Sequence, residues 1–149
     1  TNNDMITPLY FADGSKVDRC IVGEGSEIYG EVYNSVIGSG VVIEEGTVVR
    51  DSIIMSGTRI GRNCTIDKAI VAENVEVGDN VVFSVGEYAE SALNPKVYAF
   101  DLVTVAENSV IPSDVQIGKN TAIVGKTEAA DYPNGLLASG QAIVKAGEM

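Results

Sequence analysis

IGSGVVIEEGTVVRDSI (Ile37–Ile53), IMSGTRIGRNCTIDKAI (Ile54–Ile70) and VAENVEVGDNVVFSVGE (Val71–Glu87) are one 17-residue line written three times. An aliphatic or aromatic residue fills the first, seventh and thirteenth places of every line: Ile37, Ile43, Val49; Ile54, Ile60, Ile66; Val71, Val77, Phe83. The steps are therefore six, six and five residues. A period near six, three units to a line, is the mark of a hexapeptide β-helix, in which each unit supplies one short strand and a turn. Two places before the large residues stand smaller ones: Val41, Thr47, Ser52, Thr58, Cys64, Ala69, Val75 and Val81. Strand side chains alternate between faces, so residues two apart point the same way, here into a narrow tube. Gly40, Gly46, Gly57, Asn63, Asn74 and Asn80 then fall at the corners, where a left-handed backbone is needed.

Outward from this block the pattern thins in both directions. Residues 17–34 read as a shortened copy, with Cys20, Val22, Ser26 and Ile28 inward and GEVYN in place of the longer EGTVVRD. A terminal coil of a solenoid is expected to be atypical. Residues 1–16, TNNDMITPLYFADGSK, show no six-residue period and read as a linker; a loose tail and a strap along the first coil both stand as readings. The Thr at position 1 and the non-initial Met5 fit a chain cut from something longer. From Ser84 to Thr104 the period fails, and Gly86, Asn94-Pro95, Tyr88, Tyr98 and Phe100 mark an excursion. A loop this long usually has a task, which reads here as packing or a subunit contact; mere surface decoration is the other reading. The lattice resumes through Val105, Ile111, Ile117 and Ile123, closing a β-helix over 17–125. Residues 126–149 are a tail with a turn at Tyr132-Pro133-Asn134-Gly135 and an apolar Ala142-Ile143-Val144 that can add a strand. The expected fold is all-β, a single-stranded parallel β-helix of about five coils.

Composition bounds the function. The 149 residues, 45% of them hydrophobic, suffice for one domain with a core. A formal charge of −11 argues against a nucleic-acid phosphate backbone as partner, since that needs clustered Lys and Arg. No run approaches the roughly 20 apolar residues of a membrane span, and no signal peptide is visible, so a cytoplasmic location is the expectation. Cys20 and Cys64 fall on inward places on different sides of the tube, which reads as two buried thiols rather than a disulfide. The chain contains no His. That removes the His base of hexapeptide acyltransferases and the His ligands of the β-helical carbonic anhydrases. Glu and Asp sit at corners such as Glu44-Glu45 and Asp79, so no catalytic pair and no metal site is expected. Arg50, Arg59, Arg62 and Lys68, close together in sequence at outward or corner places, are the candidates for holding an anion; their other reading is solitary surface charge.

The run SEIYGEVYNSVIGSGVVIEEGTVVRDSIIMSGTRIGRNCTIDKAIVAENVEVGDN, followed by VAENSVIPSDVQIGKNTAIVG and DYPNGLLASGQAIV, resembles the C-terminal left-handed β-helix of bacterial glucose-1-phosphate adenylyltransferase, the ADP-glucose pyrophosphorylase of glycogen synthesis. VYNSVIG, VVRDSIIM and KAIVAEN, in that order, carry the likeness beyond a generic hexad. The resemblance implies a left-handed coil, against the usual right-handed rule for parallel crossovers. It also implies a regulatory and oligomerisation role beside an N-terminal catalytic domain that this chain lacks. Mg²⁺ and ATP belong to that domain, none to this one, and the subunits form a homo- or hetero-tetramer. No catalytic residue carries over. Arg50, Arg59, Arg62 and Lys68 become candidate effector contacts. In some relatives a basic residue aligned with VAEN helps to bind a sugar-phosphate effector; here that place is Glu73, so weak activation by fructose 1,6-bisphosphate is expected. Two further readings stay open: a non-catalytic β-helix scaffold or subunit, and the β-helix of a nucleotidyltransferase for another sugar phosphate.

Overall fold

A computed structural model describes residues 8–145, and in it twenty short strands form three wholly parallel sheets of six, seven and seven strands. The first face stacks Tyr10–Phe11, Glu27–Ile28, Val42–Ile43, Arg59–Ile60, Glu76–Val77 and Val110–Ile111. The second runs from Lys16–Asp18 through Glu31–Tyr33, Val48–Arg50, Thr65–Asp67, Val82–Val85 and Gln116–Gly118 to Leu136–Leu137. The third takes Ile21–Val22, Val36–Ile37, Ile53–Ile54, Ala69–Val71, Val103–Val105, Thr121–Val124 and Ala142–Val144. Successive strands of the chain lie on successive faces, so the chain winds as a three-sided parallel β-helix, as the hexads predict. No described residue is in an α-helix.

The core is a set of stacked ladders. On the first face Ile28, Ile43, Ile60, Val77 and Ile111 stand in register. On the third, Ile37 pairs with Ile54, Ile54 with Val71, Val71 with Val105 and Val105 with Ile123. All of these are buried. The smaller inward residues do a second job at the corners. Thr47 Oγ1 donates to the Gly61 carbonyl (2.6 Å) and accepts from the Cys64 N–H one coil on (3.0 Å); Thr58 does the same with Ala72 (2.8 Å) and Val75 (3.1 Å). Ser26 repeats it with Gly38 and Val41. A corner leaves backbone groups without a ladder partner inside a dry tube, and an unmade bond there would cost about 1–3 kcal/mol. The hydroxyls remove that cost, and among the described residues no buried side-chain polar atom lacks a partner.

Three columns of left-handed backbone turn the corners. Gly25, Gly40, Gly57, Asn74 and Asn108 separate the third face from the first; Gly46, Asn63, Asn80 and Asp114 separate the first from the second. Between second and third the column is Arg19, Asn34, Asp51, Lys68, Asp101 and Asn120. The short coil is tightened at Gly30, where a Cβ would stand 2.2 Å from the Thr47 carbonyl oxygen, so no larger residue fits.

The ends differ from the sequence reading. Tyr10–Phe11 and Lys16–Asp18 lie within 1–16, the stretch read as linker, and form two sides of the lowest coil. Their period is masked because the following coil is two residues short, and their inward residues Phe11 and Val17 stay exposed at the open end of the stack. The tail contributes two strands, Leu136–Leu137 and Ala142–Val144, after short 3-10 turns at Ala129–Asp131 and Pro133–Gly135. The stack thus has six full coils and part of a seventh, more than the five or so expected. Residues 1–7 and 146–149 of the linker and tail readings lie outside the described residues.

Within the excursion, strand runs to Val85 and resumes at Val103. The residues between are fastened by buried polar groups. Asn120 Oδ1 accepts the Asp101 N–H (2.8 Å) while its Nδ2 donates to the Ala89 carbonyl (2.9 Å), and Ser91 Oγ accepts the N–H groups of Leu93 and Asn94 (3.1 Å each). The Ala92 N–H reaches the Gly140 carbonyl of the tail (2.7 Å).

Candidate functional site

The four basic residues singled out in the sequence do not converge on one place. Arg59 is on the first face and is engaged by the Glu44 carboxylate, which holds its guanidinium pKa above the usual value. Arg62 lies at the corner between first and second faces, exposed, its backbone N–H held by Asp79 Oδ1 at 2.8 Å. Arg50 ends a second-face strand with its guanidinium 4.7 Å from the centre of the Tyr33 ring, a cation–π contact. Lys68 turns the corner between second and third faces, one coil beyond Arg50, and its backbone N–H donates to the Arg50 carbonyl at 3.2 Å. Arg50 and Lys68 are therefore neighbours; Arg59 and Arg62 are elsewhere. Cys20 and Cys64 are both free, on different sides of the tube, and burial raises the Cys64 thiol pKa. Among the described residues no group of three or more His, Cys, Asp or Glu side chains is placed to hold a metal ion.

The outward side of the three faces separates them more clearly than the bases do. Along the first face the outward ladder is Tyr10, Glu27, Val42, Arg59, Glu76 and Val110. Along the second, outward places carry Lys16 and Asp18, Glu31 and Tyr33, Val48 and Arg50, Thr65 and Asp67. Polar residues of these ladders bond one another or the residues just past the strand ends: Tyr33 donates to Glu31, Tyr29 to Glu27, and Arg59 meets Glu44. The carboxylate of Glu27 pushes the Tyr29 pKa up to about 12, and Glu31 raises that of Tyr33. On the third face the outward ladder is instead Ile21, Val36, Ile53 and Ile70 over the first four coils, continued by Thr104, Ala122 and Ala142. Ile21 is 70% exposed, Val36 43% and Ile53 41%. A shallow concavity of about 490 Å³ runs along this stripe, bounded at the corner by Arg19, Asn34, Asp51 and Lys68.

The sequence reading placed attention on bases and passed over this stripe. Its signal is visible in hindsight of the register: the doublets Ile21-Val22, Val36-Ile37, Ile53-Ile54 and Ile70-Val71 put an aliphatic residue outside as well as inside. The equivalent first-face pairs include Glu27-Ile28, Arg59-Ile60 and Glu76-Val77.

A three-sided stack of six-residue units, with small polar residues stitching its corners, is a hexapeptide-repeat β-helix. Within that class the chain belongs to the family described as GlmU-like, C-terminal hexapeptide, which matches residues 11–91. Over 148 residues it is 61% identical to the glucose-1-phosphate adenylyltransferase of Lachnospira eligens, covering 99% of this chain and 35% of that protein. The enzyme of the same name from Thermotoga maritima strain MSB8 is 58% identical over 144 residues (97% and 34%), and that from Acetivibrio thermocellus 38% over 148 (99% and 35%). The chain thus spans about a third of the length of these relatives.

Proposed function

We propose that this chain is the regulatory and oligomerisation domain of an ADP-glucose pyrophosphorylase, the enzyme that converts ATP and glucose 1-phosphate into ADP-glucose and pyrophosphate. The observation that carries the reading is the 61% identity along nearly the whole chain to a third of a glucose-1-phosphate adenylyltransferase. The catalytic domain, with its ATP and Mg²⁺, belongs to the part of the protein outside this chain, and the β-helix acts by packing against that domain and joining subunits, in the family's expected tetramer. The exposed apolar stripe supports an assembly role, because soluble monomers rarely leave a contiguous apolar face uncovered.

An anionic effector is part of the same reading. Arg50 and Lys68, adjacent on consecutive coils, are the pair an anion would meet together, whereas Glu44 already engages Arg59. Glu73 is exposed one corner further on and opposes a phosphate there, so fructose 1,6-bisphosphate should activate weakly. The test is to express the whole open reading frame that encodes this sequence and assay it with ATP, UTP and dTTP against glucose 1-phosphate. ADP-glucose as the main product is expected. A folded protein that makes none, or that prefers another nucleotide, overturns the assignment in favour of a scaffold or another sugar nucleotidyltransferase. Strong fructose 1,6-bisphosphate activation lost on Lys68→Ala would overturn the expectation drawn from Glu73.

A further inference from the structure

We infer that residues 86–102 form a hinged strap that opens and closes as one unit on a folded shaft, and that the Asn120 side chain is the latch that holds it closed. The device goes beyond the assembly and catalytic readings above and depends on neither.

The strap is inserted at a corner. On the fourth coil Lys68 alone carries the chain from the second-face strand Thr65–Asp67 to the third-face strand Ala69–Val71. On the fifth, the second-face strand ends at Val85 and the third-face strand begins only at Val103. An insertion of this length is ordinarily fixed by burying apolar side chains. Here that order is inverted. From Gly86 to Leu102 the only buried residue is Ser91, while Tyr88, Leu93, Val97 and Phe100 face solvent, Phe100 at 86% exposure. The segment gives nothing to the hydrophobic core cluster. A stretch without buried apolar contacts lies at the low end of the local stability range and opens without the rest of the fold.

What holds it is polar and concentrated at its ends. Asn120 is 1% exposed, and its one amide grips both ends together: Oδ1 accepts the Asp101 N–H at 2.8 Å and Nδ2 donates to the Ala89 carbonyl at 2.9 Å. The tail adds a contact from the Ala92 N–H to the Gly140 carbonyl at 2.7 Å, and a Cβ at Gly140 would collide with the Glu90 carbonyl. The tail itself is fastened by Tyr132 and Leu137 in the core and by Ile143 packed against it, so it stays in place when the strap moves. Within the strap, Ser91 Oγ accepts the N–H groups of Leu93 and Asn94, and the Asn94 carbonyl accepts those of Val97 and Tyr98 (3.1 and 2.9 Å). These internal bonds keep the shape of the strap while its ends swing.

Both ends carry hinge geometry. At the exit the register of the second face shifts at Ser84 (φ 64°), whose Oγ donates to the Asp67 carbonyl at 2.7 Å, and Gly86 (φ 79°) follows with open space around it. At the re-entry Phe100 (φ 60°) and Asp101 (φ 65°) are left-handed in succession. That backbone is unfavourable for a bulky side chain, and Phe100 buries nothing in return. Opening releases this strain; the Asn120 amide opposes it. Without the amide, Asp101 N–H and Ala89 C=O lose their partner in the closed state but reach water in the open one, so the balance moves toward opening. A ligand or neighbour that touches only one state shifts the strap by its differential affinity.

Amide hydrogen exchange read by NMR on the isotope-labelled 149-residue chain tests the device. The informative amide is Ala92, which does not touch Asn120 and is released only when the strap lifts off Gly140. In the parent it should exchange faster than Arg59 and Thr65, whose N–H groups lie in the ladders of the shaft. Asn120→Ala should speed exchange at Ala92 roughly ten- to hundredfold and leave Arg59 and Thr65 unchanged. Phe100→Asn puts a residue that tolerates left-handed backbone at the hinge and should slow Ala92 roughly three- to tenfold. An Ala92 amide as slow as Arg59 in the parent, or unmoved by Asn120→Ala, overturns the strap. Equal acceleration of Arg59 and Thr65 overturns it too, since Asn120 would then support the whole shaft. Should Asn120→Ala misfold, Phe100→Asn carries the test, because its side chain is in solvent; a rate at Ala92 that it leaves unchanged or raises overturns the hinge.

Discussion

The first two faces and the third rest on the same inward ladder of Ile and Val and differ only in what they show to the outside. The first two present polar side chains, several of which bond each other, within one coil as Tyr29 with Glu27 or between adjacent coils as Arg59 with Glu44. The third presents Ile21, Val36, Ile53 and Ile70, which have nothing to bond and only area to bury. Parallel sheets are usually covered on both sides. In this solenoid the tube covers one side of all three, and polar side chains make the outer side of two of them compatible with water. The difference teaches that the fold needs only the inner alternation, which leaves the outer positions to be set by what each face meets.

The sharpest way to break the comparison is on a single strand. Ile54 is fully buried in the third-face ladder and Ile53, beside it, is 41% exposed. Ile54→Asp places a charge between Ile37 and Val71 and should cost several kcal/mol or unfold the chain. Ile53→Asp should leave the urea midpoint of the dilute chain within about 0.5 kcal/mol of the parent. Equal losses at the two positions would mean that the third face is already covered within one chain.

A smaller effect is expected in alkali. Tyr132 is buried in the core cluster beneath the last turns, its hydroxyl 2.8 Å from that of Thr127, and burial pushes its pKa up to about 12. A phenol whose folded pKa lies above its unfolded value of about 10 stabilises the fold fully below pH 10 and loses that contribution as pH rises to 12. For a shift of two pH units this is about 2–3 kcal/mol. Tyr29 and Tyr33 on the first two faces move in the same direction through their Glu partners, while the outward ladder of the third face has no tyrosine. Urea unfolding at pH 9, 10.5 and 11.5 should show falling stability, less steep in Tyr132→Phe and as steep in Ile53→Lys as in the parent. A flat profile would remove Tyr132 from the core.

The inward ladder was legible because its period is short and repeated: Ile37, Ile43 and Val49 set a rhythm that Ile54 and Val71 confirm. The ends were less legible. Phe11 and Val17 belong to the lowest coil, but the two-residue deletion at Gly30 breaks the count before it reaches them. Leu136–Leu137 is reached only across two 3-10 turns, so no fixed step leads to it from Ile117, its partner in the stack. Of the candidate site, the identity of the bases could be read but not their grouping. Arg59 and Arg62 are three residues apart yet sit on a face and around a corner from it, whereas Arg50 and Lys68, eighteen apart, are neighbours because a coil is seventeen residues long. The outward stripe was open to inspection in the doublets, but it becomes a surface only when the coils are stacked.

The weakest expected effect concerns the polar faces themselves. Arg59 and Glu44 form an ion pair between adjacent coils of the first face, with the Arg side chain 60% exposed. Such a pair is screened by water, so its contribution is about 0.2–1 kcal/mol and smaller at high salt. Arg59→Ala should therefore lower the urea midpoint slightly, Glu44→Gln by a similar amount, and the double variant by less than their sum, with a coupling that shrinks when salt is raised from 50 mM to about 1 M. Lys68→Ala, at the rim of the third face, gives the contrast. It removes a charge with no internal ion pair and replaces one left-handed non-glycine residue by another, so the stability of the dilute monomer should hardly change. If Lys68→Ala were as costly to the monomer as Arg59→Ala, then Lys68 would have an internal partner. The third face would then be stabilised from within, as the other two are, rather than by what docks on it.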